Sequence, residues 1–502
     1  MKKLFMNRIF NTGLLIIIQI IIIVIALINL FNLSFFMSWL FRIISFIIAI
    51  YIVSKDEDPD YKIIWIFIIL IVPLFGGMTY ILFGNKKPSR RLREAYEFDY
   101  ESTNKYIYPN DKIKEINDEY KGQMNYLVNQ GYPLYDDSCL EYYDLGDRNY
   151  PDLIKELKKA QHFIFMEYFI VHDGKMFSEI LSILEEKVKQ GVEVRFMYDD
   201  VGCANTLPNK YYLQLRKKGI QSIAFNPFKP IISVAMNNRD HRKITVIDGN
   251  VGFCGGFNLA DEYINQKERF GHWKDTGVMI KGNATWNLTI MFLNTWHVAT
   301  KTREDIDKYH PRNYPSQEIQ PNGYILPYGD SPLDNELVGA NVYLNLINQS
   351  KRYVYIDAPY LIINSELQNA LINAAKRGVD IRIVTPGIPD KKIVFKVTRS
   401  YYEDLVTNGI KIYEYTPGFV HAKNFVVDDE VATVGTINLD YRSLYLHFEC
   451  GVYMYKCTKI MDIKEDFFNT INKSHQIKEE DIKKGKFRDV WTMILRLIAP
   501  IL

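Results

Sequence analysis

Two stretches of the chain carry the same pattern: HRKITVIDGNVGFCGGFN at residues 241–258 and HAKNFVVDDEVATVGTIN at residues 421–438. Aligned, they share His, Lys, Asp, Gly and Asn at equal spacings, written H-x-K-x4-D-x6-G-(G/T)-x-N. One H-x-K on a strand is typical of an ordinary solvated edge. Two copies that preserve the whole spacing indicate a functional pair.

The sequence before each copy repeats as well. A buried-strand pattern, HFIFMEYFIVHD, precedes the amphipathic stretch FSEILSILEEKVKQG and a second strand, VEVRFMYDDVG. RYVYIDAPYLI, SELQNALINAAKRG and VDIRIVTPG follow the same order before the second copy. Strand–helix–strand units predict parallel strands covered by helices. We therefore expect an α/β fold in which two similar repeats pack as a pseudo-twofold pair.

Within each copy, the β-branched residues of ITVID and FVVDD predict a strand. His and Lys, two positions apart, then point to the same face. The Asp lies at the end of the strand, where DGN and DDE are typical of turns. The glycine-led pair and the Asn follow on the next element and return towards the His face.

This residue set suits chemistry on a phosphodiester. A neutral imidazole can attack phosphorus and form a phosphohistidine, which divides one difficult displacement into two. A second, protonated imidazole can protonate the leaving alkoxide and later deprotonate the incoming alcohol. Lysine ammonium groups and Asn amides can stabilise the equatorial oxygens. Two copies are needed because nucleophile and acid must approach phosphorus from opposite sides.

Several carboxylates could orient the histidines, from the opposite half or from the same one. Glu167 and Asp357 occupy matching predicted strands, where orienting a histidine and simple packing are both open. Glu449 and the Trp273-x-Asp275 segment lie just downstream of the two motifs, with structural and orienting roles equally open. The other histidines have no partner at ligand spacing, and no carboxylate-rich cluster suggests a metal.

The first 85 residues are far more apolar than the rest of the chain. Apolar runs cover about residues 9–32, 34–53 and 63–85, and the first alone could cross about 30 Å of hydrocarbon. A cleaved signal peptide fits poorly, because the first run is long, lacks a small-residue cleavage site and is followed by more apolar sequence. We expect N-terminal transmembrane helices that make a multi-pass membrane anchor of residues 1–85.

Basic residues flank this region on both sides, with Lys2, Lys3 and Arg8 before it and KKPSRRLR after it. The positive-inside bias keeps both flanks in the cytoplasm, which predicts two net crossings. The run that contains Arg42 is the one expected to lie in the interface or re-enter, since a charge at mid-bilayer is costly. The catalytic halves would then lie on the cytoplasmic side of the cell membrane.

The composition adds limits of its own. The net charge of +2 favours no partner by itself, and no aromatic stripe over a basic groove suggests nucleic acid. Five scattered cysteines without CxxC spacing argue against a disulfide framework or a zinc site and favour a reducing compartment. The closing KKGKFRDVWTMILRLIAPIL is basic and then apolar, and its apolar part is short, which predicts an interfacial tail.

The paired motif resembles that of the phospholipase D superfamily and, within it, of bacterial cardiolipin synthases. The phrases that carry this resemblance are VPLFGGMTYILFGNKK, FNPF, NRDHRKITVIDG and HAKNFVVDDEVATVGTINLDYRSL. The resemblance covers essentially the whole chain. It departs at Gly256 and Thr436, where many superfamily members have Ser.

What the resemblance implies can be assigned residue by residue. The implied catalytic residues are His241, Lys243, Asp248, His421, Lys423 and Asp428, with Gly255, Asn258, Gly435 and Asn438 as candidates for substrate binding. His241 is the implied nucleophile and His421 the implied acid and base. No cofactor is implied.

The implied reaction joins two phosphatidylglycerol molecules into cardiolipin and releases glycerol, with water kept away from the intermediate. The basic run after the apolar segments would attract anionic membrane lipids. Two alternatives stay open: a hydrolase with the same paired site, and a non-catalytic membrane scaffold. The predicted divisions are the anchor at 1–85, a basic and polar linker at 86–135, α/β domains at 136–315 and 316–482, and the tail at 483–502.

Overall fold

The computed structural model describes residues 21, 35–55, 57–72, 76–77, 79–80, 84, 90–107, 111–116, 119–227, 237–314, 318–334, 336–483 and 490–501. The first predicted apolar segment, about 9–32, lies outside these residues apart from Ile21. Parts of the third segment, of the linker and of the tail also lie outside them.

Two apolar helices stand at the start of the described chain, Phe35–Ser54 (α1) and Pro59–Ile71 (α2). The Asp58 carboxylate caps α2 by accepting a hydrogen bond from the Asp60 N–H at 2.9 Å. The third predicted apolar run does not continue as one helix, because α2 ends at Ile71 and Pro73 disfavours helical geometry in the residue before it. Across the described ranges, no helix combines the length and the apolar character needed to cross a bilayer.

The segment predicted as a linker contains two helices, and the catalytic halves follow it. The helices are Arg90–Asn104 (α3) and Lys121–Asn129 (α4). The first half consists of Ser138–Tyr143 (β1), Gly146–Lys159 (α5), Phe163–Tyr168 (β2), Lys175–Lys189 (α6), Glu193–Asp199 (β3), Tyr212–Lys217 (α7), Gln221–Phe225 (β4), Lys243–Ile247 (β5), Val251–Gly255 (β6), His272–Lys274 (β7), Gly277–Gly282 (β8) and Thr285–Thr300 (α8).

The second half repeats this arrangement and ends in a short apolar helix. Its elements are Tyr324–Asp330 (β9), Val338–Gln349 (α9), Tyr353–Asp357 (β10), Ser365–Lys376 (α10), Asp380–Pro386 (β11), Lys392–Ser400 (α11), Tyr402–Val406 (α12), Lys411–Tyr415 (β12), Gly418–Val420 (β13), Asn424–Val427 (β14), Val431–Gly435 (β15), Tyr441–Tyr445 (α13), Glu449–Tyr455 (β16), Ile460–Ile471 (α14), Ser474–Gln476 (β17), Glu479–Lys483 (α15) and Val490–Ile498 (α16).

The two sheets have the same strand order. The first runs β4–β3–β2–β5–β6–β8–β1, and the second runs β12–β11–β10–β14–β15–β16–β9 with β17 added beside β12. The predicted pair of α/β repeats is therefore confirmed. The sheets are mixed rather than parallel throughout, since β14 is antiparallel to β10. No crossover helix lies between β12 and β14, so the chain enters β14 from the end at which β10 finishes.

Each motif aspartate lies at the tip of a hairpin. Asp248 and Gly249 both have positive φ (48° and 67°), and so do Asp428 and Asp429 (55° and 63°). Two successive positive φ values are the geometry of a type I′ turn, whose twist suits a β-hairpin. The predicted DGN and DDE turns are thus present at the ends of β5 and β14.

The Asp428 carboxylate binds the backbone at the entry to β10. It accepts hydrogen bonds from the N–H groups of Lys351 (2.7 Å), Arg352 (2.8 Å) and Tyr353 (2.9 Å), and from the Tyr120 hydroxyl of the linker segment (2.9 Å). These bonds tie the hairpin tip to the start of the neighbouring strand.

Asp248 does the same in the first half. It accepts hydrogen bonds from the N–H groups of Gln161, His162 and Phe163, each at 2.8 Å. In both halves the aspartate of the motif lies at the far end of its strand from the histidine.

A central core joins the halves. Buried side chains from both sheets and from helices α8 and α14 form one cluster there, which includes Trp286, Phe292, Val426 and Val452. Separate clusters lie on the outer faces of the two sheets. A parallel pair of short strands, β7 and β13, adds a backbone connection between the halves. The motif strands β5 and β14 therefore face each other across a packed interface.

We predict that Asp428→Ala lowers the free energy of unfolding by about 2 to 4 kcal/mol, because it leaves one buried and two partly buried N–H groups without an acceptor. Chemical denaturation of the full chain measures this change. The matched control is Glu430→Ala in the same turn, because the described residues offer no hydrogen bond to that side chain. An Asp428→Ala protein as stable as the control would contradict the structural role.

Candidate active site

The two motif histidines lie just before their strands rather than within them. β5 begins at Lys243 and β14 at Asn424. The His241 N–H donates to the carbonyl of Phe448 at 2.9 Å, and the His421 N–H donates to the carbonyl of Lys274 at 2.6 Å. In each case the acceptor belongs to the other half of the chain, so the backbone of one half sets the position of the histidine of the other.

The side chains repeat this exchange. His241 Nδ1 lies 3.0 Å from both carboxylate oxygens of Glu449, the first residue of β16. His421 Nδ1 lies 2.6 Å from Oδ2 of Asp275, which precedes β8. Both carboxylates are fully buried. Each half therefore supplies one histidine and the carboxylate that orients the histidine of its partner.

The two carboxylates differ in their other partners. Glu449 also accepts hydrogen bonds from the hydroxyl groups of Thr436 and Ser443. Asp275 accepts one from the Thr276 N–H at 2.9 Å and lies against Gly256. A Cβ atom at position 256 would lie 1.9 Å from Asp275 Oδ1. The glycine that replaces the common Ser thus makes the space that the shorter carboxylate occupies.

The motif lysines are buried and close to both histidines. Lys243 Nζ donates to the carbonyl of His241, and Lys423 Nζ donates to the carbonyl of His421. Burial lowers the pKa of Lys243 to about 8 and that of Lys423 to about 7. The charge of Lys243 further lowers the pKa values of Lys423 and His421. The two motifs therefore form one electrostatic cluster.

Both imidazoles are neutral in the free protein at physiological pH. Burial lowers the pKa of His241 to about 3 and that of His421 to about 4, although the adjacent carboxylates act in the opposite direction. Burial favours the neutral form of Glu449, but its hydrogen bond with His241 and its attraction for a proton on that ring hold the pKa of Glu449 below its usual value. An ionised carboxylate accepts the proton on Nδ1 of each ring, which leaves the lone pair on Nε2. Each imidazole can then act as a nucleophile or a base.

Aromatic rings surround the two imidazoles. Phe169 meets His241 edge to face, with ring centroids 4.9 Å apart. Tyr263, Trp273 and Phe419 lie around His421, with ring centroids 5.5 to 5.7 Å away. These side chains limit the orientations of the rings and keep water from their sides.

The predicted substrate-binding asparagines differ from each other. The Asn258 amide accepts a hydrogen bond from the Ile170 N–H (2.9 Å) and donates one to the Tyr263 hydroxyl (2.7 Å). Within the described chain, Asn438 Oδ1 has no hydrogen-bond partner although it is buried. The amide of Asn258 is therefore committed to the fold, whereas Oδ1 of Asn438 could accept a hydrogen bond from a ligand.

The predicted glycines and strand carboxylates hold other positions. Gly255 and Gly435 allow close backbone approach, since a Cβ atom on either would lie 2.4 Å from an atom of the adjacent strand. Glu167 forms an ion pair with Arg242 at 2.7 Å. Asp357 accepts a hydrogen bond from Asn424 at 3.3 Å, and burial raises its pKa to about 7. The structure brings neither Glu167 nor Asp357 onto a histidine.

Asp275 orients His421, a role that the sequence left open, whereas nothing in the sequence indicated that the hydroxyls of Thr436 and Ser443 bind Glu449. The strand register shows why Asp275 has this role. Gly255 pairs with Gly277 and Gly435 pairs with Gly451, and the two carboxylates each lie two residues before the second glycine of the pair. Asp275 and Glu449 are therefore equivalent positions of the repeat.

Among the described residues, one group of side chains could hold a metal ion. Potential ligand atoms of His241, His447 and Glu449 lie within 4.8 Å of one another. His241 and Glu449 already bind each other there, and the Lys243 ammonium beside them opposes a further cation. The geometry as a whole is better suited to an anion held between two lysines and two imidazoles.

Comparison with known proteins agrees with this geometry. The family model described as "Cardiolipin synthase, PLD-like domain" matches residues 153–282 and 343–471, and one described as "Phospholipase_D-nuclease N-terminal" matches residues 43–85. Among solved structures, phosphatidylserine synthase of Haemophilus influenzae shares the fold at a TM-score of 0.57 and 14% identity, covering 77% of this chain and all of that one.

Curated relatives extend over most of the chain. An uncharacterized protein of Streptococcus mutans is 45% identical over 467 residues, which are 90% of this chain and 99% of that protein. The cardiolipin synthase of Geobacillus kaustophilus is 35% identical over 463 residues, which are 91% of each chain. With two matched catalytic domains and relatives over nearly its full length, this chain is an enzyme of the phospholipase D superfamily and belongs to the cardiolipin synthase family.

Proposed function

We propose that this protein transfers a phosphatidyl group from one phosphatidylglycerol to another, forming cardiolipin and glycerol through a phosphohistidine. The observation that carries the proposal is the exchanged pair of histidine–carboxylate contacts, His241 with Glu449 and His421 with Asp275. The two partners of each contact come from different halves of the chain, which supports a site in which the two rings face one phosphorus atom from opposite sides. In-line displacement at phosphorus needs that arrangement.

In the first step, Nε2 of His241 attacks phosphorus as the bond from phosphorus to the glycerol oxygen breaks. His421 gives its proton to that oxygen, and glycerol leaves. His421 is neutral in the free protein, and the negative charge of the incoming phosphodiester favours its protonated form. Glu449 stabilises the positive charge that develops on His241.

In the second step, a hydroxyl group of the second phosphatidylglycerol attacks the phosphohistidine. His421 takes the proton of that hydroxyl, the phosphorus–nitrogen bond breaks, and His241 is restored. Lys243, Lys423 and the NH2 group of Asn438 would donate to the equatorial oxygens in both steps. We assign Asp248 and Asp428 to positioning these strands, since their carboxylates bind backbone N–H groups.

The same proposal places the reaction at a lipid surface. Helices α1, α2 and α16 expose large apolar side chains, with Phe46 60%, Ile71 62% and Val490 74% exposed. Many exposed apolar side chains on neighbouring helices favour an interaction site, and a bilayer would supply both the apolar contact and the substrates. The basic run after the apolar segments adds attraction to anionic headgroups.

We predict that the N-terminal region anchors the protein with its catalytic halves at the cytoplasmic face of the cell membrane, because both basic flanks favour that side. Protease added to intact spheroplasts should then leave the catalytic halves uncut, and added detergent should expose them. Cleavage before detergent is added would refute the orientation.

We predict that purified protein converts phosphatidylglycerol in mixed vesicles to cardiolipin and glycerol. His241→Ala and His421→Ala should each lower turnover by about a thousandfold or more, because each removes a group that reacts directly. With phosphatidylglycerol labelled in its phosphate, the His421→Ala protein should retain label that the His241→Ala protein does not. Label retained only by the His241→Ala protein would reverse the two roles.

The products separate the alternatives. Phosphatidic acid in place of cardiolipin would identify a hydrolase with the same site, and absence of turnover would favour a non-catalytic scaffold. An assay series with and without a chelator shows whether turnover depends on added metal.

We predict that kcat/KM falls as the pH rises through about 7 to 8. Below their pKa values of about 7 and 8, Lys423 and Lys243 are charged and attract the phosphodiester; above them this charge is lost from the free enzyme. Bound phosphate favours the charged lysines, so kcat should fall at higher pH than kcat/KM does. Equal pH dependence of both parameters would contradict this reading.

A further inference from the structure

We infer that Asp58 and Asp60, on the apolar N-terminal helix α2, are positioning residues for the active site. They hold the short helix α13, and α13 in turn holds Glu449 on His241. This inference rests on the proposed function, because it concerns the same histidine. It adds that the element exposed for lipid contact is part of the apparatus that orients the nucleophile.

The contact between α2 and α13 consists of hydrogen bonds to two carboxylates. The Tyr445 hydroxyl donates to Asp58 Oδ2 at 2.7 Å, and the Tyr441 hydroxyl donates to Asp60 Oδ2 at 2.7 Å. Bonds to ionised acceptors are stronger than those between neutral groups. Asp58 uses its other oxygen, Oδ1, to cap α2, so the bond to Tyr445 is additional to what the helix itself requires.

The start of helix α10 joins the same contact. Asn364 donates from its amide to Asp58 Oδ2 at 3.2 Å, and the Ser365 N–H donates to Asp60 Oδ2 at 3.3 Å. The beginning of α2 is therefore fixed against two elements of the second catalytic half, more than 300 positions away in the chain.

The other face of α13 binds Glu449, the carboxylate that orients His241. Tyr441 and Tyr445 are four residues apart and share one face of the helix. Ser443 lies between them, and its hydroxyl donates to Glu449 Oε1 and accepts the Asn438 N–H at 2.8 Å. A shift of α13 would therefore move a hydrogen-bond donor of Glu449 as well as the backbone of Asn438.

The end of the chain packs at the same place. The turn that follows α16 contacts both α13 and α2. Leu495 and Ala499 share a buried cluster with Tyr441 and Leu444 of α13, while Leu497 packs against the buried side chains of α2. Two lipid-facing elements from opposite ends of the chain thus meet at the helix that orients Glu449.

The test removes the hydroxyl groups and keeps the rings. Tyr441→Phe/Tyr445→Phe retains the stacked pair, whose centroids lie 5.9 Å apart, and deletes both bonds to α2. We expect kcat to fall about tenfold, the effect of a modest loss of transition-state stabilisation, with KM for phosphatidylglycerol within about twofold of the wild-type value. The rate of phosphoenzyme formation in a single turnover should fall by the same factor.

The matched control is Tyr126→Phe/Tyr150→Phe, which also deletes two tyrosine–carboxylate bonds, to Glu336 (2.6 Å) and Glu179 (2.5 Å). This control should leave kcat unchanged.

Asp58→Asn keeps the cap of α2 and places an amide opposite Tyr445, so it should reproduce part of the loss. Ser443→Ala should lower kcat as well, and Ser443→Thr, which restores a hydroxyl, should recover most of it.

Thermal unfolding of each variant separates positioning from loss of fold. A Tyr441→Phe/Tyr445→Phe protein with unchanged kcat and phosphoenzyme rate would overturn the inference. So would a fall in kcat no larger than that of the control pair at equal loss of thermal stability. If the wild-type protein releases phosphatidic acid instead of cardiolipin, the proposed function fails, while the phosphoenzyme rates still decide whether α2 positions the site.

Discussion

The active site depends on two histidine–carboxylate pairs, in each of which the histidine and the carboxylate come from different halves of the chain. His241 is oriented by Glu449 of the second half and His421 by Asp275 of the first, and the backbone N–H of each histidine binds the residue just before that carboxylate. Neither motif histidine takes its orienting carboxylate from its own half. Burial of both pairs is possible only where the two sheets meet, so the central core and the active site form together.

The two halves differ in their orienting carboxylates, and each difference is accompanied by a compensating difference in the residue that faces the carboxylate. Glu449 is one methylene longer than Asp275 and faces Thr436, whose hydroxyl binds it. Asp275 faces Gly256, where a Cβ atom would overlap its carboxylate. The longer side chain, Glu449, therefore faces a residue that donates a hydrogen bond, and the shorter one, Asp275, faces a glycine that leaves room for its carboxylate. Glu449 collects two hydroxyl donors besides His241, which suits the partner of the imidazole that must carry a developing positive charge.

The sequence predicted the features that depend on local pattern. The repeat, the paired sheets and the turns at Asp248 and Asp428 follow from periodicity and turn chemistry, which act over a few residues. Periodicity also suggested that His241 and His421 lie on strands, but both precede them, because each pairs instead with backbone from the other half. These two contacts join positions 207 and 147 residues apart in the chain.

The orienting carboxylates could not be identified from local sequence pattern either. Glu167 and Asp357 matched each other in the repeat, and this suggested a shared role at the histidines. The structure gives them different partners, Arg242 and Asn424. Asp275 occupies the position equivalent to Glu449, but the spacing from each motif aspartate to its carboxylate differs between the halves, 27 residues from Asp248 and 21 from Asp428. Unequal insertions hide such a correspondence until the strand register is known.

The charges of the buried lysines favour the binding of an anion at the site. Lys243 and Lys423 are both buried, and desolvation lowers both pKa values, while the charge of Lys243 lowers that of Lys423 further. Two neutral imidazoles beside them add no positive charge in the free protein. A bound phosphodiester raises the pKa values of both lysines and of the imidazole that acts as acid, because its negative charge favours their charged forms. In the proposed mechanism, substrate binding would therefore create the protonation state that the first step requires, and the imidazole that acts as acid would take up its proton only when a phosphodiester is present.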